Sequence, residues 1–122
     1  MGLHEFHFGV YPRLLWIMVS SKQSEINISF KESESYKDIF IEGFDDSGAV
    51  SISVCKMDTM KRGFLIIFPK KKNITYKNTA HESAHVASML WEEIGENRIG
   101  EEANAYLIGY IADCVSIAKN TK

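Results

Sequence analysis

The chain predicts an α+β domain, with a mostly antiparallel N-terminal sheet followed by two helices. Three observations carry this. Residues 1 to about 70 hold short β-branched and aromatic runs broken by Gly, Ser and Asp clusters, which is the pattern of strands. From about residue 75 the apolar spacing changes to threes and fours, the pattern of helices. A length of 122 residues, 45% of them hydrophobic, suits one core and is too short for two. The expectation is therefore a single domain over 1–122, with its sheet in 1–70 and its helical part in 75–118.

Strands are expected near 5–10, 13–20, 26–31, 37–42, 48–56 and 63–69. Asp45-Asp46-Ser47-Gly48 is a turn signal and predicts an antiparallel hairpin between the strands on either side. Gly63 to Phe68 is almost wholly apolar, as a buried strand requires, and Pro69 helps to end it. Leu14 to Val19 is a second apolar run, too short to span a membrane and without the layout of a signal peptide. A cytoplasmic location follows as the expectation.

In the helical part, Ala80, Ala84, Ala87, Trp91 and Ile94 define one apolar stripe. Thr75 or Thr79 can cap this helix, and Thr79 with Glu82 fits a capping box, a use of Glu82 that competes with chemistry. Gly95 and Gly100 bracket a short connection to a second helix over about 101–118, with Ala103, Tyr106, Leu107, Tyr110, Ile111, Cys114 and Val115 spaced for packing.

The net charge of −2 gives no reason to expect nucleic acid or an anionic membrane as partner. Lys70-Lys71-Lys72 reads as a solvated loop, and Cys55 and Cys114 as reduced, packed thiols. His4 and His7 read as surface residues, and Tyr76, Tyr106 and Tyr110 as core or rim.

The chemistry lies in His81-Glu82-Ser83-Ala84-His85. Histidines four apart share one helical face, so both imidazoles reach a single metal ion. The intervening glutamate is rotated aside, where it holds a metal-bound water instead of ligating the metal. This is the H-E-x-x-H arrangement of zinc hydrolases, metallopeptidases in particular. A catalytic zinc needs a third protein ligand and an open position. Glu92 and Glu93 lie roughly 10 Å along the axis from His85, against metal–ligand bonds near 2 Å, and are excluded. The start of the second helix offers Glu101 and Glu102. Glu102 is preferred because it shares a face with Tyr106, Gly109 and Tyr110, whereas Glu101 points about 100° away. The choice requires the 95–100 connection to run back along the first helix by about 12 Å, which six extended residues span.

With that site, zinc lowers the pKa of its water towards neutrality and polarises the scissile carbonyl, while Glu82 takes the proton and passes it to the leaving amine. One zinc ion per chain is expected. Two imidazoles and a carboxylate favour zinc over manganese, iron, cobalt and nickel without excluding them.

The motif with a downstream glutamate resembles the gluzincins, the zincins with two His and one Glu as ligands. More narrowly, the chain resembles minimal zincin-like metallopeptidases of phages and integrated elements. The likeness rests on Val10 to Trp16, Ala80 to His85, and Glu102 to Cys114. It implies His81, His85 and Glu102 as metal ligands and Glu82 as general base, with a peptide or protein as substrate. Tyr106 stands where gluzincins often carry an acidic residue, so the usual supporting carboxylate is missing. The resemblance also suggests that substrate lies against an edge strand, taken to be 63–69, by strand addition. Two other readings stand beside the hydrolase. One is a non-catalytic zincin-fold binding module of phage or mobile-element origin, its metal structural only; the other is a metal-free domain in which the histidines simply pack.

Overall fold

A computed structural model describes residues 2–9, 11–95 and 100–121. Its elements in chain order are β1 (Gly2–His7), β2 (Leu14–Val19), α1 (Gln23–Ser29), β3 (Phe30–Glu32), β4 (Val50–Lys56), β5 (Lys61–Phe68), α2 (Tyr76–Glu93) and α3 (Glu101–Asn120). The strands form one five-stranded sheet in the order β1-β2-β5-β4-β3. Every pairing is antiparallel except β2 with β5, which run parallel in the register Leu14↔Gly63 to Val19↔Phe68. The α+β class, sheet first and helices after, is as the sequence predicts.

The two apolar runs become the sheet's centre because both of its faces are covered. Leu15, Ile17, Val19, Phe64, Ile66 and Phe68 pack against Val86, Leu90, Ile111 and Val115 of α2 and α3. On the opposite face Leu14, Trp16, Met18, Leu65 and Ile67 meet Ile26, Phe30, Ile39 and Phe44. Strands buried on both sides need continuous hydrophobicity, and every residue of β2 is buried.

The second layer is where the sequence expectations fail. Residues 26–31 read as a strand, but Gln23–Ser29 is a third helix, and only Phe30–Glu32 pairs as strand. The alternation of Ile26, Ile28 and Phe30 suggested period two. Ile26 and Phe30, four apart, are buried, while Ile28 is 77% exposed. The helix start is secured by Glu25, whose Oε1 accepts from the Lys22 backbone N–H at 2.8 Å.

Residues 37–42 form no strand either. Their backbone is satisfied by side chains of α1: Asn27 donates to the Ile39 carbonyl at 2.8 Å and accepts from its N–H at 2.7 Å, and Gln23 donates to Ile41 O at 2.8 Å. An amide that both donates and accepts replaces a neighbouring strand. The expected hairpin at Asp45–Gly48 is consequently absent, and Phe44–Asp46 is a 3-10 turn. The hairpin comes one strand later, between β4 and β5, where Met60 adopts φ 57°.

Strand β5 was expected to offer an edge, but it is hydrogen-bonded to β2 on one side and β4 on the other. The sheet's incompletely paired strand is β4: β3 covers only Val54–Lys56, leaving Val50–Ile52 without an outer ladder among the described residues.

Helix α2 is capped by Thr75, whose Oγ1 accepts from Asn78 N–H at 3.1 Å, which frees Glu82 from the alternative capping box at Thr79. Its buried face comprises Ser83, Val86, Ala87, Leu90 and Trp91, rotated from the expected stripe so that Ala80 and Ala84 are exposed. The longer side chains Val86 and Leu90 win the core position over the small alanines. No helix among the described residues is long and apolar enough to cross a membrane.

Candidate metal centre

Because α2 buries Ser83, Val86 and Leu90 against the sheet, the residues one step round the helix divide between solvent and β4. His81 and His85 fall on the solvent side. Glu82, Met89 and Glu93 fall on the flank that lies over β4. Strand β4 alternates in turn: Ile52 and Val54 face the α1 layer, so Ser51 and Ser53 face α2.

The consequence is a pair of matched clamps. Ser51 Oγ donates to Glu82 Oε1 at 2.6 Å, and Ser53 Oγ donates to Glu93 Oε2 at 2.7 Å. Arg13 Nε also donates to Glu93 Oε1 at 3.0 Å, so Glu93 is engaged elsewhere, in keeping with its exclusion as a ligand. Glu82 is only 6% exposed although it is a carboxylate. Its second oxygen, Oε2, lies 3.9 Å from His81 Nε2.

The imidazoles converge. His81 Nε2 and His85 Nε2 are 3.0 Å apart, with ring centroids 4.6 Å apart and planes inclined at 72°. Two ligands of a tetrahedral zinc with bonds near 2.0–2.1 Å stand about 3.3 Å apart. The pair is therefore within a few tenths of an ångström of the spacing an ion needs, on a face open to solvent. The side chain of His81 is 63% exposed. Two of the expected ligands and the expected base thus come together.

Glu102 does not join them. It lies exposed in the first turn of α3, as does Glu101, and α3 begins beside the last turns of α2. The register is marked by Trp91 Nε1, which donates to Asn104 Oδ1 at 2.9 Å. Trp91 is six residues beyond His85, about 9 Å along the axis. Among the described residues no three His, Cys, Asp or Glu side chains form a group able to hold a metal. The expected return of the connection falls partly on 96–99, outside the described residues.

The predicted sharing of a face is present: Glu102, Tyr106, Gly109 and Tyr110, with Ala105 and Asp113, border one shallow depression. Tyr106 and Tyr110 also border His7, Phe8 and Tyr11, so that face turns towards the β1–β2 connection. Periodicity states which residues share a face and is silent on where the face points.

The remaining candidates sit as rim and packing. Tyr76 and Tyr106 are exposed, and Tyr110 donates its hydroxyl to the His7 carbonyl. Burial raises the Tyr110 phenol, and burial likewise pushes the Cys114 thiol up. Cys55 and Cys114 are buried and unpaired. His4 and His7 are half-buried residues of β1, and Lys70 to Lys72 are exposed.

Ser51 was not anticipated. In the sequence it belongs to an alternating strand whose polar residues would ordinarily face water, and nothing local indicates that a helix lies over them. Compared with family models, curated proteins and solved structures, the chain matches none.

Proposed function

We propose that the chain is a zinc-dependent hydrolase of the H-E-x-x-H type that cleaves a peptide or amide bond. The observation that carries this reading is the buried Glu82 carboxylate, held by Ser51 with its free oxygen beside two converging imidazoles. A bound zinc ion supplies a water of lowered pKa and a Lewis acid for the scissile carbonyl. His81 and His85 hold the ion through Nε2. Glu82 Oε2, the oxygen not engaged by Ser51, accepts the water's proton and delivers it to the leaving nitrogen.

Glu102 is the third ligand on the resemblance alone, and that role needs the start of α3 nearer His85 than the Trp91–Asn104 bond sets it. An extended peptide substrate has a place to add at the open edge of β4, Val50–Ile52, beside Glu82. A cytoplasmic setting belongs to the same proposal and agrees with two unpaired buried thiols.

One observation favours a second reading. Glu102 lies with Tyr106 and Tyr110 on a surface away from the histidines, as a binding module with a merely structural ion would allow. Elemental analysis of protein purified without metal-affinity steps, with turnover of a peptide mixture, separates the readings. The hydrolase predicts one zinc per chain, lost in His81→Ala and His85→Ala, and a Glu82→Gln variant that keeps zinc and loses turnover. Zinc without turnover in the unsubstituted protein favours the binding module. No zinc, even after incubation with the ion, removes both.

A further inference from the structure

We infer that Ser51 is a positioning residue for Glu82: its hydroxyl engages Oε1 and so leaves Oε2 facing the histidine pair. The inference rests on the hydrolase reading and adds to it. A carboxylate 6% exposed has little water to orient it, so its direction is set by the protein groups it meets. Ser51 Oγ, 2.6 Å from Oε1, is within the range of a charge-assisted hydrogen bond. The other oxygen is the one near His81, at 3.9 Å from Nε2.

The donor is itself held. Ser51 pairs with Ile66 of the buried β5, so its backbone belongs to the sheet's rigid centre and not to a loop. Rotation of the Glu82 side chain then requires breaking a charge-assisted bond in a place where water cannot readily replace it.

The fold supplies an internal control. Ser53 and Glu93 repeat the same Ser-to-Glu bond between β4 and α2, at 2.7 Å. The Glu93 carboxylate is also held by Arg13 at 3.0 Å and lies about two turns beyond His85. If both serines merely fasten the helix to the strand, removing either has one and the same consequence. If Ser51 aims Glu82, only its removal touches the chemistry.

The test uses the zinc-loaded full chain with Ser51→Ala, Ser51→Cys, Ser51→Thr, Ser53→Ala and Glu82→Gln. It measures kcat and KM on a peptide mixture, zinc affinity by competition with a chromophoric chelator, and urea midpoints. We expect Ser51→Ala to lower kcat about tenfold or more, with KM and zinc affinity unchanged. Ser51→Cys, with its weak donor, behaves similarly and serves if the alanine variant does not fold. Ser51→Thr restores kcat, and Ser53→Ala lowers the urea midpoint while keeping kcat. In the midpoints, Ser51→Ala and Glu82→Gln combine less than additively, whereas Ser53→Ala and Glu82→Gln add. Equal kcat losses in Ser51→Ala and Ser53→Ala overturn the inference, as does full kcat in Ser51→Ala where Glu82→Gln has none. Zinc-loaded protein that hydrolyses nothing overturns the hydrolase reading, and the inference falls with it.

Discussion

Gly63→Ala tests whether the parallel pairing of β2 with β5 is the fold's tightest contact. A methyl group on Gly63 would stand 2.2 Å from the Leu14 carbonyl oxygen and 2.8 Å from the Trp16 ring. Carbon and oxygen on adjacent strands settle at about 3.3–3.6 Å, so the strands must part by roughly 1 Å at this rung. The clashing oxygen is backbone, which has no rotamer to escape into. The Trp16 ring is fully buried, and its Nε1 is tied to Glu5 Oε1 at 2.8 Å. Overpacking of this kind costs about 1–3 kcal/mol, and loss of the adjoining ladder bond adds about 1 kcal/mol. The expected total is about 2–4 kcal/mol, equivalent to a fall of roughly 8–16 °C in Tm at about 4 °C per kcal/mol for this length. Urea unfolding followed by circular dichroism measures it directly, with Gly109→Ala as the control. That glycine is exposed in α3 with nothing within 4 Å of its added carbon, so alanine there should stabilise the chain by about 0.5–1 kcal/mol. A Gly63→Ala loss below about 1 kcal/mol would refute the register argument.

Two further outcomes follow from the helices. Thr75→Ala should cost about 1 kcal/mol in urea unfolding, more than Thr79→Ala, because Thr75 alone accepts the capping bond; equal costs would return Glu82 to the capping box. Burial raises the Cys114 thiol above its ordinary 9.0, so the folded chain holds that proton more tightly than the unfolded one. The stability it contributes is complete below the ordinary thiol pKa and declines as pH rises through the raised value. Urea midpoints should therefore fall on the alkaline side, less steeply in Cys114→Ala, and identical slopes would remove Cys114 as a cause.

The sequence by itself determined the α+β class, the two central strands, the two long helices and the convergence of His81 with His85. These are local matters. An unbroken apolar run of six residues is suited to burial on both faces, and a four-residue spacing brings two imidazoles together on any α-helix. Only the tertiary structure decided what depends on a neighbour from far along the chain. Residues 37–42 have strand composition but are held by Asn27 and Gln23, and so pair with no strand. Glu82 acquired Ser51 because α2 lies across β4, a distance of 31 residues in sequence. Glu102 shares the predicted face with Tyr106 and Tyr110, yet that face turns towards the β1–β2 connection. Helical period ranks residues around an axis, whereas the direction of the axis and its register against α2 come from packing such as that of Trp91 on Asn104.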